Sequence, residues 1–174
     1  MDETLETSLL EVLDSSQLNC LNENDDHTLK HILASKKLNS SSSYLLSDVD
    51  EQLLVNIPFN QSVRIRSIVI KSSVAAQRPR LIKLFINRPS LGFDDVQDSQ
   101  EPDAAQVLEL TEEQVLEGKR IPLRFVRFQN VGSLHIFVAS NGGDDETRID
   151  GIDVFGIPAL GGTKDLSGLR KEED

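Results

Sequence analysis

Between Ile121 and Gly156 the chain reads IPLRFVRFQNVGSLHIFVASNGGDDETRIDGIDVFG, and this stretch constrains the fold more than any other. Three runs rich in β-branched and aromatic residues are separated by a Val-Gly-Ser turn and by the loop Asn141-Gly142-Gly143-Asp144-Asp145-Glu146. Short apolar runs bounded by Gly, Asn and Asp read as strands. Phe125, Phe128, Phe137 and Phe155 all fall here, out of seven Phe in the chain, so the stretch is expected to form the densest part of a β core. One acidic loop should project from it. No catalytic constellation is visible in it.

The rest of the chain extends this reading. Gln52 to Ile57 is a short apolar strand closed by Pro58. Val63 to Lys71 alternates, with Val63, Ile65 and, by the same period, Ser67 on one face and Arg64 and Arg66 on the other. Residues 80–87 form a strand entered after Pro79 and left before Pro89, 90–103 a long acidic loop, and 106–110 a short strand. Thr111-Glu112-Glu113-Gln114 fits a capping box opening one helical turn that ends at Gly118. Strands follow at about 121–129, 133–140 and 147–157. At the N-terminus, residues 3–13 have a partly helical pattern, with Leu5, Leu9, Val12 and Leu13 near one face. Asp25 or Asp26 is placed to cap a second short helix running to about Ala34, with Leu29, Ile32 and Leu33 inward. This succession predicts an all-β fold, a β-sandwich or jelly roll, flanked or closed at one end by short N-terminal helices. The length suits one domain: a leader over 1–17, the β domain over 18–160, and a tail over 161–174 that begins at Gly161-Gly162.

Net charge is −11, distributed unevenly. Residues 1–26 hold eight acidic residues and no basic one. Arg64, Arg66, Lys71, Arg78, Arg80, Lys83 and Arg88 then follow without an acidic residue among them, and Asp94 to Glu117 is purely acidic. Solvated strand faces and acidic loops account for such blocks; the sharper reading is patches of opposite sign that orient a partner. No run approaches the roughly 20 apolar residues of a membrane span, and a signal-peptide pattern is absent. Cys20 is the only cysteine, so no internal disulfide can form, which suits a reducing compartment. The expectation is a soluble monomer of cytoplasm and nucleus that binds neither membrane nor nucleic acid, for which the charge balance is wrong.

Each candidate for chemistry has a plainer competitor. His27 and His31 stand four apart, the spacing of a zinc pair on one helix face, but a third ligand is missing and two surface histidines are the favoured reading. Cys20, between Leu18 and Leu21, reads as a buried structural thiol. His135 alternates within a core strand and reads as a hydrogen-bonded strand residue rather than a base for Ser133. Asp144, Asp145 and Glu146, with Asp150 and Asp153 nearby, could hold Ca²⁺, but their spacing matches no calcium loop and Arg148 competes for the carboxylates. A solvated turn or a protein-contact loop is preferred. The alternative function to a docking module is a ligand-binding jelly roll that recognises a sugar or small anion, with or without calcium; sugar binding generally needs aromatic platforms, and the chain has no Trp and only Tyr44.

Ser47-Asp48-Val49-Asp50-Glu51-Gln52-Leu53-Leu54, Phe59-Asn60-Gln61-Ser62-Val63 and Lys83-Leu84-Phe85-Ile86-Asn87-Arg88-Pro89 resemble the PITH domain. So do Leu108-Glu109-Leu110-Thr111-Glu112, Arg124 to Val131, Ser140-Asn141 through Ile149, and the closing Phe155-Gly156-Ile157-Pro158. The resemblance runs from about Leu18 to Pro158. It implies a β-sandwich jelly roll similar to galactose-binding domains, no enzymatic activity and no cofactor. It also implies a docking partner, the 19S regulatory particle of the 26S proteasome. Redox chemistry would belong to a separate thioredoxin domain in cis, so the chain is expected to be the C-terminal domain of a thioredoxin-like protein, with a stand-alone PITH protein as the alternative. The partner-binding residues expected on charge grounds are Asp144, Asp145, Glu146 and Arg148 of the acidic loop, with Arg78, Arg80 and Arg88 of the basic segment. Catalytic and metal-binding residues are not expected.

Overall fold

The computed structural model describes residues 6–158. The described residues form strands β1 (Thr7–Ser8), β2 (Asn19–Leu21), β3 (Leu45–Leu46), β4 (Leu53–Lys71), β5 (Pro79–Ile86), β6 (Gln106–Glu109), β7 (Ile121–Pro122), β8 (Val131–Asn141), β9 (Arg148–Ile149) and β10 (Gly151–Pro158). Three short helices interrupt them: α1 (Leu29–Leu33), α2 (Phe93–Val96) and α3 (Glu112–Glu117). The strands pair antiparallel.

β4 organises the whole. Its first part, Leu53 to Pro58, lies between β2 and β8, and β8 continues to β5 and β6. Its second part, Val63 to Lys71, lies between β10 and β7, and β10 carries β1. One long strand therefore serves both layers of a jelly-roll sandwich. The expected stop at Pro58 does not occur. Proline cannot donate to a ladder, but the pairing with β8 shifts register between Pro58 and Val63, and the Pro58 carbonyl accepts from the Asp14 amide at 2.9 Å. The strand crosses the proline where the ladder is already broken.

A second irregularity changes the face of β4. Phe155 opposes Ser67 while Gly156 opposes Ile65, which leaves Arg66 as the extra residue of a bulge. The core-lining residues run Val63, Ile65, then Ile68 and Ile70. Ser67 is thus carried off the face that simple alternation gives it. These side chains meet Ile82 and Leu84 of β5, Leu134 and Ile136 of β8, and Ile152 and Val154 of β10 in one buried core.

The N-terminal segment closes this core, with Leu9, Leu10, Leu13 and the inward residues of α1 fully buried. Its helices are shorter than the pattern suggests. Leu9–Val12 is a 3₁₀ turn behind β1, and α1 starts at Leu29 behind Thr28, not behind Asp25 or Asp26. Glu23 explains the shift: its Oε1 accepts the Leu29 amide at 2.8 Å, so the first free helical donor is served from upstream. Residues 3–5 and the tail over 161–174 lie outside the described residues.

The 121–129 run also departs from expectation. Only Ile121–Pro122 pairs as a strand, and Phe125–Arg127 is a 3₁₀ turn. Three residues per turn puts Phe125 and Phe128 on one side, and Val126, which alternation would pair with the core, is 79% exposed.

The 90–103 run is not a free loop; with Ala104 and Ala105 it makes a flap, 90–105, containing α2. It covers the outer face of the β5–β8 layer, where Leu54, Phe85 and Phe137 make a second apolar cluster with Leu91, Val96 and Ala104 from the flap. Lys83 fastens it. This side chain is only 4% exposed, and its Nζ donates to the carbonyls of Gln97 (2.9 Å), Ser99 (2.7 Å) and Val96 (3.5 Å) at the C-terminal end of α2. An ammonium capping helical carbonyls is well placed electrostatically. Lys83→Met keeps the stem and removes three donors. It should cost about 2 kcal/mol, the range for orphaned buried acceptors, and should speed amide exchange selectively over 93–105. Unchanged exchange there would show that the flap is held by its apolar contacts alone.

Candidate functional site

Three connections meet at one end of the sandwich. The first is the segment from Ser47 to Gln52. Asn22 shapes it, donating from Nδ2 to Asp50 Oδ1 (2.9 Å) and the Gln52 carbonyl (2.7 Å) and accepting the Val49 amide on Oδ1 (3.1 Å). This leaves Val49 at the tip, 82% exposed, between Asp48 and Asp50. The second is the β8–β9 loop. Asn141 Nδ2 donates to the Glu146 carbonyl (2.9 Å) and Asn141 Oδ1 accepts from Gly143 (2.9 Å), which closes the acidic loop on itself. Thr147 ties the two together: its amide donates to Ser47 Oγ (2.8 Å) and its hydroxyl to the Glu51 carbonyl (2.6 Å). The third is the turn before β5. The Asp144 amide donates to the Ala76 carbonyl (3.1 Å), and Gly142 sits so close that a Cβ there would lie 2.5 Å from the Ala75 carbonyl oxygen. Glycine at 142 is what lets these two loops touch.

The charged residues expected at this end do not all gather there. Asp144 and Glu146 are half-buried, and Asp145 is exposed. Arg148 is engaged elsewhere: its guanidinium pairs with Asp150 (2.9 Å) and lies 3.8 Å over the Tyr44 ring. Tyr44 in turn stacks on His27 at 4.1 Å. Arg78 is 8% exposed. It donates to the carbonyls of Ser72 (2.9 Å) and Ser73 (3.3 Å) and pairs with Glu112 (3.1 Å), so it holds the turn before β5 from inside. Arg80 is exposed beside it. Arg88 follows the far end of β5, roughly 25 Å away by strand rise, where it pairs with Asp103 (3.4 Å). The structure therefore brings together Asp144, Asp145, Glu146 and Arg80, holds Arg78 beneath them, and separates Arg148 and Arg88. Val49 and Glu51 were missing from the expected set; the signal available was a β-branched residue standing alone in the acidic loop sequence Asp48-Val49-Asp50-Glu51.

The other candidates take structural places. His27 precedes α1, so the helical spacing with His31 does not arise. Cys20 is buried in β2, and burial, then the Glu23 charge, raises its thiol well above the ordinary range, the opposite of a nucleophilic cysteine. Asp153 is buried and accepts from Ser8 Oγ (2.7 Å), and burial raises its carboxyl. With Asp150 on Arg148 as well, Asp150 and Asp153 are engaged away from the loop carboxylates, and among the described residues no three His, Cys, Asp or Glu side chains gather in a metal-holding group. Two of the four Phe of the 121–156 stretch, Phe128 and Phe137, are fully buried. Phe155 and Phe125 are half-buried instead, lying under Arg120 (3.7 Å) and Arg66 (4.2 Å). His135 is 2% exposed in β8, and its ring is bonded at both nitrogens.

An antiparallel jelly roll whose polar loops crowd one end defines a β-sandwich module with the fold shared by galactose-binding domains. Solved structures of that architecture superpose on it. A family 32 carbohydrate-binding module from Clostridium perfringens, solved in complex with galactose, gives a TM-score of 0.59 at 9% identity over 86% of this chain and 98% of that one. Another family 32 module from the same organism gives 0.54 at 15% identity, over 84% and 96%. At such identities the likeness is one of fold. The sequence relationship is closer. The PITH domain family model matches residues 1–173, and the chain belongs to that family. It is 43% identical to Thioredoxin-like protein 1 of Schizosaccharomyces pombe, over 87% of this chain but 51% of that protein. It is 36% identical to a PITH domain-containing protein of Drosophila melanogaster, over 83% and 67%, and 32% identical to the human PITH domain-containing protein 1, over 79% and 63%. The chain thus spans about half to two thirds of these relatives' lengths. Neither the family model nor the PITH-named relatives indicate an enzyme class.

Proposed function

We propose that the chain is a non-enzymatic protein-interaction module that docks onto the 19S regulatory particle of the 26S proteasome. In a longer thioredoxin-like protein it would hold the thioredoxin domain there, and its place of action would be cytoplasm and nucleus. The observation that carries this reading is membership of the PITH family together with the identity to a thioredoxin-like protein of twice the matched length. The surface supports it. The loop end offers carboxylates, an exposed Val49 and the Arg80 guanidinium, a mixture suited to a protein partner. A sugar-stacking platform is not offered there, since both faces of Tyr44 are covered, by His27 and by Arg148. The test is capture of purified 26S proteasomes by the immobilised chain, beside a variant whose surface charges are scrambled. Enrichment over that variant is expected; equal recovery would sink the reading.

A further inference from the structure

Adjoining depressions form a cleft at the loop end. A depression of about 460 Å³ is walled by Val49, Asp50 and Glu51 on one side and by Ser140, Asn141 and Asp145 on the other. Ser140 and Asn141 also line the next depression, which runs to Glu109 and Arg80. Arg80 and Leu110 line a third, which reaches Ala75 and Gly142. Shared walls make the three one groove across the ends of β5 and β8. Carboxylates crowd the Val49 end, whereas at the other end Glu109 and Glu112 are accompanied by Arg78, paired with Glu112, and by Arg80, which makes no ion pair with a described residue. An exposed aliphatic side chain stands at the acidic rim.

We propose that this cleft receives an extended segment of the partner protein, with basic residues over Glu51 and Asp145, an apolar side chain against Val49, and an acidic group towards Arg80. The inference rests on the docking function proposed above and adds the chemistry of what docks. Both walls are fixed before binding, because Thr147 bonds the Ser47–Glu51 segment and Asp144 bonds the Ala76 carbonyl. Little ordering entropy is then lost on the domain side. Unpaired carboxylates at one end and the unpaired Arg80 guanidinium at the other favour one direction of that chain as well as its charge. The pair Glu51 and Asp145 is the place to intervene, since neither carboxylate hydrogen-bonds a described residue.

Binding of the full chain to purified 26S proteasomes separates the possibilities. The double variant Glu51→Lys with Asp145→Lys should bind roughly tenfold more weakly, as reversed charges across a contact do, and added salt should shrink the difference. Glu11→Lys with Asp98→Lys changes the net charge equally at exposed sites in other elements and should bind as the wild type does. Arg80→Glu should weaken binding too, and a gain in affinity would overturn the polarity of the segment. Melting temperatures matching the wild type confirm that each variant folds. Wild-type affinity in the cleft variant, or equal loss in both double variants, would overturn the inference while docking itself stands. A wild-type chain that does not bind proteasomes would overturn both.

Discussion

Gly156→Ala should abolish the fold. The glycine sits where β10 crosses the bulge of β4, opposite Ile65 and beside Thr7 of β1. A methyl group built on it would lie 1.8 Å from the Arg64 carbonyl oxygen and 3.1 Å from the Ile65 Cα. Both are backbone atoms of the central strand, so no side chain can swing away to make room. Glycine within a strand often marks such an approach of two backbones. Relief would require β10 to move off β4, taking Ile152 and Val154 out of the core and β1 off its edge. A displacement of that kind goes beyond the usual largest single-residue losses of about 4–5 kcal/mol and becomes comparable with the roughly 5–15 kcal/mol that holds a whole domain folded. The expected result is insoluble or molten protein, read by loss of near-ultraviolet dichroism and of a cooperative melt. Gly143→Ala is the companion measurement: open space surrounds that position, so its cost is confined to the backbone strain of a positive φ, about 1–3 kcal/mol. A cooperative melt near the wild-type midpoint for Gly156→Ala would show that the two backbones are not held together as described.

The same bulge explains how far the fold can be read from residues. The alternation in Val63 to Lys71 is visible, and it is correct as far as Ile65; nothing in Arg66 itself announces an extra residue. The cause lies ninety positions away, in a glycine whose neighbour across the sheet is unknown until strands are paired. Pro58 misleads for a related reason, because a proline stops a strand only where the ladder needs its amide. The flap over 90–105 looks like solvent-exposed acidic loop, since its apolar residues Leu91, Val96 and Ala104 are too sparse to show a period. What they cover, Phe85 and Phe137, comes from other strands. At the candidate site, the acidic loop after β8 was legible as a loop because of its Asn and Gly residues. Its contact with the Ser47–Glu51 segment was not, being made by Thr147 across a separation that no local pattern encodes. Arg78 shows the limit of charge counting: it belongs to a basic block, but its donors serve backbone carbonyls in the interior.

Acid should weaken the domain through His135. Its ring is held on both sides: Nε2 accepts the Arg88 amide at 3.2 Å and the Ser133 hydroxyl at 2.9 Å, so Nδ1 carries the proton and donates to Asn56 Oδ1 at 2.7 Å. Asn56 is fixed in that orientation because its amide nitrogen donates to Asn19 Oδ1 at 2.8 Å. The neutral ring therefore joins β2, β4, β8 and the turn after β5. Burial, and then the nearby Arg88 charge, lowers its pKa from 6.5 to about 4. The folded chain thus refuses a proton that the unfolded chain takes up below pH 6.5. Stability contributed by the neutral ring is complete above the unfolded value, falls as pH drops through the window from 6.5 to about 4, and is then exhausted. The size of the loss is about 3 kcal/mol, at 1.36 kcal/mol for each unit of pKa difference. Urea midpoints measured across that window for the wild type and for His135→Gln isolate the contribution, because carboxylates titrate alike in both and cancel. The wild-type curve should fall more steeply by that amount. Parallel curves would mean that the imidazole accepts its proton in the folded state, which Arg88 and Ser133, both donating to Nε2, leave no room for.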